Sequence, residues 1–342
     1  MRSWSCDIVQ YVAVFFGEFG YELLNWQGAL RNLHKTLKKD DQLICCSRKG
    51  LYPFYEFADE FIDISHLPRF QKSIACMYWA WSPKKTKKAN IKWDKKLRKV
   101  VRKFIEKRFR KKAEIKFIFS SSQEVVNGVQ LGLELGADSQ EMQRISIYQP
   151  AVLKYNHYKK ILPVLSCRED IEKKVGFSLK QPYLLCQTGN REIIIRSKAT
   201  IPKDRLIVMF TKKIKVILLN FETGRYLDSS SQFPSIEGCH SYTCSSFEEQ
   251  SCLIHFAKRN LFFTEGDFRS HNYLPPLLGK DLFAVAPKSV LALPTTSIDF
   301  WNQEVFQFGG QILPFVSESI FSDQTSLSVF AERVLGGEDF SQ

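Results

Sequence analysis

The chain has 342 residues, 44% hydrophobic and 25% charged, with 49 Lys and Arg against 36 Asp and Glu and a formal net charge of +13. These are globular values, with length for about two domains. The longest apolar runs, such as 11–16 and 216–219, are too short for a transmembrane helix.

Asp7 and Gly17-Glu18 interrupt the N-terminal apolar run, so no secretory signal is expected. The nine cysteines are odd in number and have no C-x-x-C pair; Cys45, Cys46 and Cys186 fall inside apparent strands, which predicts a reduced, cytoplasmic chain. Cys239, Cys244, Cys252 and His255 can be drawn as a zinc set. Their spacings fit no common structural zinc pattern, and no metal is expected.

Tyr11 to Phe16 (YVAVFF) predicts a buried strand, Gly17-Glu18-Phe19-Gly20 a tight turn, and Tyr21 to Leu37 a helix with Leu23, Trp26, Leu30, Leu33 and Leu37 on one face. Gly17 and Gly20 let the backbone turn sharply and bring its N–H groups near a ligand. A tight turn without a ligand is the plainer alternative. Gln42 to Ser47 predicts the second strand, and Leu51 to Phe61 an aromatic-rich helix broken near Pro53. Tyr78, Trp79 and Trp81 suit either a core or an aromatic platform for an acceptor, core being the commoner fate.

Pro83 to Lys116 differs from the rest. Its 17 Lys and Arg oppose only Asp94, Glu106 and Glu114, so its net charge of +14 exceeds that of the whole chain and the remainder carries −1. From Lys92 to Lys112, Trp93, Leu97, Val100, Val101, Phe104, Ile105 and Phe109 form one stripe of a helix whose other faces are almost wholly basic. Such a helix suits an anionic membrane surface, with Trp93 at its edge and Lys95, Lys96, Lys99 and Lys103 toward the headgroups. Alternatively the stripe packs on the first domain and the lysines are simply solvated. Nucleic acid is not expected, because the aromatic residues lie on the stripe and not among the charges, and no RNA motif accompanies them.

Phe117 to Phe119 predicts a further strand and Glu169 to Val175 a helix. The domain boundary is expected at 175/176, within an interval from Tyr148 to Pro182. The first domain, 1–175, carries the basic insert 83–116; the second is 176–342. Tyr183 to Cys186 predicts a strand that delivers Arg191, Arg196 and Lys198, whose side chains suit phosphate. Lys215 to Asn220 predicts another strand, 222–238 a loop, and Ser246 with Glu249 a capping box for a helix reaching about Asn260. The apolar spacing in Leu327 to Leu335 predicts a helix packing back across the domains.

Leu261 to Pro287 reads as two buried strands flanking a polar turn and a short helix. Thr264-Glu265-Gly266-Asp267 leaves the first strand at its carboxyl end, Ser270-His271-Asn272 offers a cap, Pro275 and Pro276 fit only a first turn, and Gly279 can close the helix in a left-handed conformation. In open α/β sheets ligands bind just outside such carboxyl ends.

This pattern, strand, acidic residue, Gly, Ser-His, Pro and Leu-Leu-Gly-Lys, resembles the donor-binding turn of two-domain GT-B glycosyltransferases, especially heptosyltransferases and fucosyltransferases. The resemblance implies an α/β fold of two doubly wound, Rossmann-like parallel sheets facing across a cleft. It implies metal-independent transfer of a sugar from a nucleotide-sugar to a carbohydrate or lipid-linked acceptor, without a cofactor. Glu265, Gly266, Ser270 and His271 would then face the donor, with Asp267 an alternative to Glu265, and Arg191, Arg196 and Lys198 would meet its diphosphate. Glu18 stands where the family carries an Asp facing the acceptor, and would act as base; Glu22, one turn on, is the alternative. Phe268 departs from the pattern, where a small residue is usual. Arg269-Ser270-His271 also resembles the Arg-x-His of polysaccharide pyruvyl transferases, which share the architecture, so pyruvyl transfer from phosphoenolpyruvate is a second reading. A nucleic-acid-binding protein working through 83–116, or a non-catalytic relative that keeps the fold, would be of another class.

Overall fold

Among the described residues, short apolar runs bounded by polar turns become parallel strands. The computed structural model describes residues 8–15, 22, 26–68, 87–109, 114–119, 161–188, 203–221, 233–263, 274–285, 312–315 and 324–336. The chain divides into two units, Met1–Tyr158 and Lys159–Gln342.

In the first unit β1 (Val9–Val14), β2 (Gln42–Ser47), β3 (Glu60–Asp63) and β4 (Glu114–Phe119) form a four-stranded sheet in the order β3-β2-β1-β4, with every pairing parallel. Helix α1 (Gln27–Thr36) connects β1 to β2. The helix expected over 51–61 is absent. Tyr52–Tyr55 makes one 3-10 turn with Pro53 in its first positions, where a missing N–H costs no hydrogen bond. The chain is then drawn to β2, because Asp59 takes the Leu43 N–H on its carboxylate at 2.7 Å and gives its own N–H to the Leu43 carbonyl at 3.0 Å. That double contact sets the register in which β3 pairs.

The basic helix α2 spans Lys87–Arg108. Leu97, Val101 and Ile105 are buried and join Val12, Val14, Ile44, Cys46 and Phe119 in one core cluster. The described part of the apolar stripe therefore packs on the sheet, where each fully buried side chain contributes about 1.5–3 kcal/mol. The Arg102 guanidinium stacks over Phe117 and Phe119 at 4.9 and 5.2 Å from their centroids. Among the described residues no helix is long and apolar enough to cross a membrane.

In the second unit β5 (Tyr183–Thr188), β6 (Lys215–Phe221), β7 (Cys239–Cys244), β8 (Arg259–Phe263), β9 (Leu282–Val285) and β10 (Ile312–Phe315) form a six-stranded parallel sheet, ordered β10-β9-β8-β5-β6-β7. Read from the β7 edge, this is third, second, first, fourth, fifth, sixth, the strand order of a doubly wound dinucleotide-binding sheet. The first unit follows the same scheme as far as its fourth strand. In each sheet the order in which successive strands are added reverses between its first and fourth strands, at β1/β4 and at β5/β8.

Helix α3 (Arg168–Val175) ends at Gly176, whose φ of 78° suits a residue without Cβ. The stretch leading into it belongs to the second unit: the Ile161 N–H donates to the Leu277 carbonyl at 2.8 Å and the Val164 N–H to Ser251 Oγ at 3.1 Å. The division at 158/159 thus precedes 175/176 and lies within the interval from Tyr148 to Pro182. Helices α4 (Lys203–Thr211), α5 (Phe247–Phe256), α6 (Leu274–Leu277) and α7 (Gln324–Leu335) complete the unit. Leu206, Ile207 and Phe210 of α4 and Phe330, Ala331, Val334 and Leu335 of α7 share a core cluster with Leu184, Cys186, Val216 and Leu261. The C-terminal helix thus completes the core of its own unit. Tyr183, pointing to the other face, donates its hydroxyl to the Leu253 carbonyl of α5 at 2.5 Å.

Candidate functional site

The carboxyl end of the first sheet holds a buried polar cluster. Where β1 ends, the Phe15 N–H donates to the Cys46 carbonyl of β2 at 2.9 Å. Glu22 is the next described residue, and it is fully buried. Its Oε1 accepts from Ser47 Oγ and, at 2.5 Å, from the Tyr55 hydroxyl, while Oε2 accepts from Arg48 Nη1 at 3.0 Å. Ser47 is the last residue of β2 and Arg48 the first beyond it. Glu22 and Trp26 have π-type backbone ahead of α1, and the Trp26 and Phe15 rings meet with centroids 5.6 Å apart. Burial pushes the Glu22 carboxyl above its ordinary pKa, against the pull of Arg48, Ser47 and Tyr55. Burial, with Glu22 beside it, also pushes the Tyr55 phenol up. Both carboxylate oxygens are committed, so the geometry suits Glu22 to holding its neighbours.

The second sheet presents another polar set at its carboxyl ends. Thr188 closes β5, and Lys203, the first residue of α4, donates from Nζ to Thr188 Oγ1 at 3.1 Å. Beside it Gln250 Nε2 donates to Gln187 Oε1 at 3.3 Å. Asn220, near the end of β6, accepts the Phe233 N–H on Oδ1 at 2.7 Å and donates from Nδ2 to Ser241 Oγ at 2.9 Å. β8 ends at Phe263, so Thr264-Glu265-Gly266 follows directly at the switch point in sequence. Pro275 and Pro276 do lie in the first turn of α6, and Gly279 has φ of 68° with its N–H on the Pro276 carbonyl at 2.8 Å. With four residues, α6 has too few aligned peptides to offer a strong anion site.

Among the sequence candidates, Glu22 is described and lies in the first cluster. Gly17, Glu18, Gly20, Arg191, Arg196, Lys198, Glu265, Gly266, Asp267, Ser270 and His271 lie outside the described residues, as do Tyr78, Trp79 and Trp81. Trp93 and Lys95 lie on α2 with side chains outside the described set, while Lys96, Lys99 and Lys103 are exposed on it. Residue patterns alone did not single out Ser47, Arg48, Tyr55, Thr188 or Lys203. The signal for three of them was present: a polar residue at or just after a strand's carboxyl end, the same position that drew attention to Glu18 and Glu265.

Cys239 and Cys244 are the first and last residues of β7, whereas Cys252 and His255 belong to α5. Among the described residues no group of three His, Cys, Asp or Glu side chains is placed to hold a metal.

No protein-family model matches the sequence, and no curated protein matches it either. The structure is similar to that of a glycosyl transferase of family 9 from Veillonella parvula DSM 2008, with TM-score 0.51 and 10% identity over 96% of this chain and 97% of that one. The ADP-heptose lps heptosyltransferase II of E. coli gives TM-score 0.49 and 10% identity over 96% of this chain and 99% of its own. The UDP-GlcNAc 2-epimerase of Methanocaldococcus jannaschii gives 0.40 and 12% over 97% and 94%. The first of these likenesses and the strand orders agree on the fold: the chain has the GT-B architecture of two Rossmann-like parallel-sheet units.

Proposed function

We propose that the chain is a glycosyltransferase, moving a sugar from a nucleotide-sugar to a carbohydrate or lipid-linked hydroxyl. The observation that carries this reading is positional. Each sheet has its switch point beside a strand that is followed in sequence by a stretch holding candidate residues, β1 by Gly17–Gly20 and β8 by Glu265–His271.

In this reading Glu18 takes the proton of the acceptor hydroxyl as that oxygen bonds to the anomeric carbon and the bond to the diphosphate breaks. Arg191, Arg196 and Lys198, joined by Lys203 beside Thr188, neutralise the departing diphosphate, which makes a metal dispensable. Glu265 receives a donor hydroxyl, with Gly266, Ser270 and His271 around it. Glu22, fully buried, is left out of proton transfer. The exposed lysines of α2 dock on an anionic membrane, which holds the enzyme near a lipid-linked acceptor on the cytoplasmic side. With Leu97, Val101 and Ile105 packed inward, that contact is electrostatic.

A thermal-shift panel of ADP, UDP, GDP, CMP and phosphoenolpyruvate tests the proposal. A nucleotide at a hundredfold excess over its dissociation constant should stabilise the chain by about 2.7 kcal/mol. A shift with phosphoenolpyruvate alone would move the reaction to pyruvyl transfer, and no shift with any nucleotide would remove the donor site.

A further inference from the structure

Two thiols meet where the stretch entering the second unit crosses α5. The Val164 N–H donates to Ser251 Oγ at 3.1 Å and the Arg168 N–H to the Leu165 carbonyl at 3.2 Å, so 164–168 turns tightly against the helix residues around Cys252. Within that turn Cys167 Sγ lies 3.9 Å from the Val164 carbonyl, and the Cys252 thiol donates to the Cys167 sulfur. Cys252 is completely buried, whereas Cys167 is only half-buried and within reach of solvent. The other described thiols are placed differently. Cys45 and Cys46 are successive residues of β2 and project to opposite faces of the sheet. β6 separates Cys186 on β5 from Cys239 on β7, and Cys244 is buried with its Sγ 3.0 Å from the Ser246 carbonyl.

The two sulfurs are also chemically unlike. The hydrogen bond from Cys252 holds the Cys167 thiol below its ordinary pKa, against burial and the Glu249 and Glu248 carboxylates. Tyr242 and Cys244 complete its titratable surroundings. Cys167 is moreover the cap of α3, where the peptide dipoles favour a thiolate. The same hydrogen bond, with burial, pushes the Cys252 thiol up, against the pull of Arg168. A part-exposed sulfur held toward its thiolate, beside a buried one that stays protonated, is the pairing of an attacking and a resolving cysteine.

We propose that Cys167 and Cys252 are a peroxide-reactive pair: Cys167 takes the oxidant from solvent, and Cys252 resolves it as a disulfide that staples the stretch entering the second unit to α5. The Cys167 thiolate attacks one oxygen of hydrogen peroxide, the O–O bond breaks, and the departing hydroxide takes up the proton that Cys167 lost, leaving a sulfenic acid and water. The Cys252 sulfur then attacks the Cys167 sulfur. The S–S bond forms, the S–O bond breaks, and hydroxide leaves with the Cys252 proton as a second water. The two thiols have given two electrons to the peroxide, and an external dithiol returns them by exchange. The pair is independent of the reading of the chain as a glycosyltransferase.

The test treats the reduced, full-length chain with hydrogen peroxide under native conditions, alkylates the remaining thiols and maps the peptides by mass spectrometry. The expected product is a peptide holding Cys167 joined to one holding Cys252, with the loss of two hydrogens, reversed by dithiothreitol. Cys167→Ser should abolish the link and leave Cys252 reduced. Cys252→Ala should leave a sulfenic acid on Cys167 that dimedone traps, and Cys239→Ser should form the disulfide as wild type does. Cys167 is part-exposed, so Cys167→Ser stays informative if Cys252→Ala folds poorly. In the untreated chain near neutral pH, iodoacetamide should modify Cys167 at least about tenfold faster than Cys239, whose thiol burial pushes up to about 11. Both thiols still alkylatable after peroxide, or Cys167 joined to any other cysteine, would overturn the pair. A sulfenic acid that persists on Cys167 in wild type without a disulfide would overturn it too, by removing Cys252 as the resolving sulfur.

Discussion

Arg48 Nη1 lies 3.0 Å from Glu22 Oε2, with the carboxylate side chain completely out of water and the guanidinium side chain 7% exposed. A buried ion pair adds little over a well-packed apolar pair, but breaking one by removing a single partner is costly.

Arg48→Met is therefore expected to destabilise the chain by about 3–5 kcal/mol, because it leaves Glu22 buried without its counter-charge. Replacing both partners by Met should recover most of that loss. Urea denaturation of the two single variants and the double variant measures the coupling; an additive result would mean that the pair does not act as a unit.

Glu249 gives a pH dependence. Burial pushes its carboxyl up, but the Ser245 N–H, Tyr242, Lys174 and the Ser245 hydroxyl together outweigh burial and hold it below the ordinary 4.5. The folded state thus binds this proton less readily than the unfolded chain. The stabilisation is fully present above the unfolded pKa and is lost as pH falls from about 4.5 through the lowered folded value. Glu249→Gln should flatten the stability curve in that acid window and leave its shape near neutrality alone. An unchanged acid limb in thermal melts would show that the contacts at 2.7 Å to the Ser245 N–H and 3.2 Å to Lys174 carry no charge-dependent stability.

Helix α2 separates core from surface within one element. Leu97→Ala should cost about 2–5 kcal/mol, since Leu97 packs among Val14, Ile44 and Phe119. Replacing Lys96, Lys99 and Lys103 by Gln should change stability by no more than about 0.5 kcal/mol. The same triple variant should no longer sediment with anionic vesicles, and wild-type binding should fall with added salt and be absent on neutral vesicles. Indifference to lipid charge would sink the membrane partner.

Much of this fold is legible in the sequence where burial is two-sided. Tyr183, Leu184, Leu185 and Cys186 are all completely buried, and so are Leu261 and Phe263; a continuous apolar run can hardly be anything but a central strand. The edges were not legible. β7 reads CHSYTC, with exposed or half-buried residues alternating with Tyr242 and Cys244, and such a half-polar strand resembles a loop until its partner β6 is known. β3 was mistaken for helix because the aromatic run 52–57 concealed the Asp59 contacts that start it. At the site, position after a strand pointed to Glu18 and Glu265, but the contacts that bring Glu22 to Tyr55, 33 residues away, have no local signature.

The last prediction concerns Lys203 and Thr188. Their contact at 3.1 Å sits where β5 ends and α4 begins, beside the switch point at which a doubly wound sheet receives a nucleotide. An ammonium there suits a diphosphate as a mobile point charge, and a hydroxyl can turn its proton toward a phosphate oxygen. A charge-assisted hydrogen bond contributes about 1.5–3 kcal/mol, so Lys203→Ala should weaken the nucleotide that shifts the melt by about 10- to 150-fold. Thr188→Val, which removes only a neutral partner, should cost about fivefold to tenfold. Lys203→Arg should retain part of the affinity, and the salt dependence of binding should lessen in Lys203→Ala but persist in Thr188→Val. Glu18→Gln serves as the contrast, because the base proposed for it would contribute to turnover and not to donor affinity. Titration calorimetry with the nucleoside diphosphate resolves these differences. Equal affinity in Lys203→Ala and wild type would take Lys203 out of the donor site and leave it a capping contact of α4.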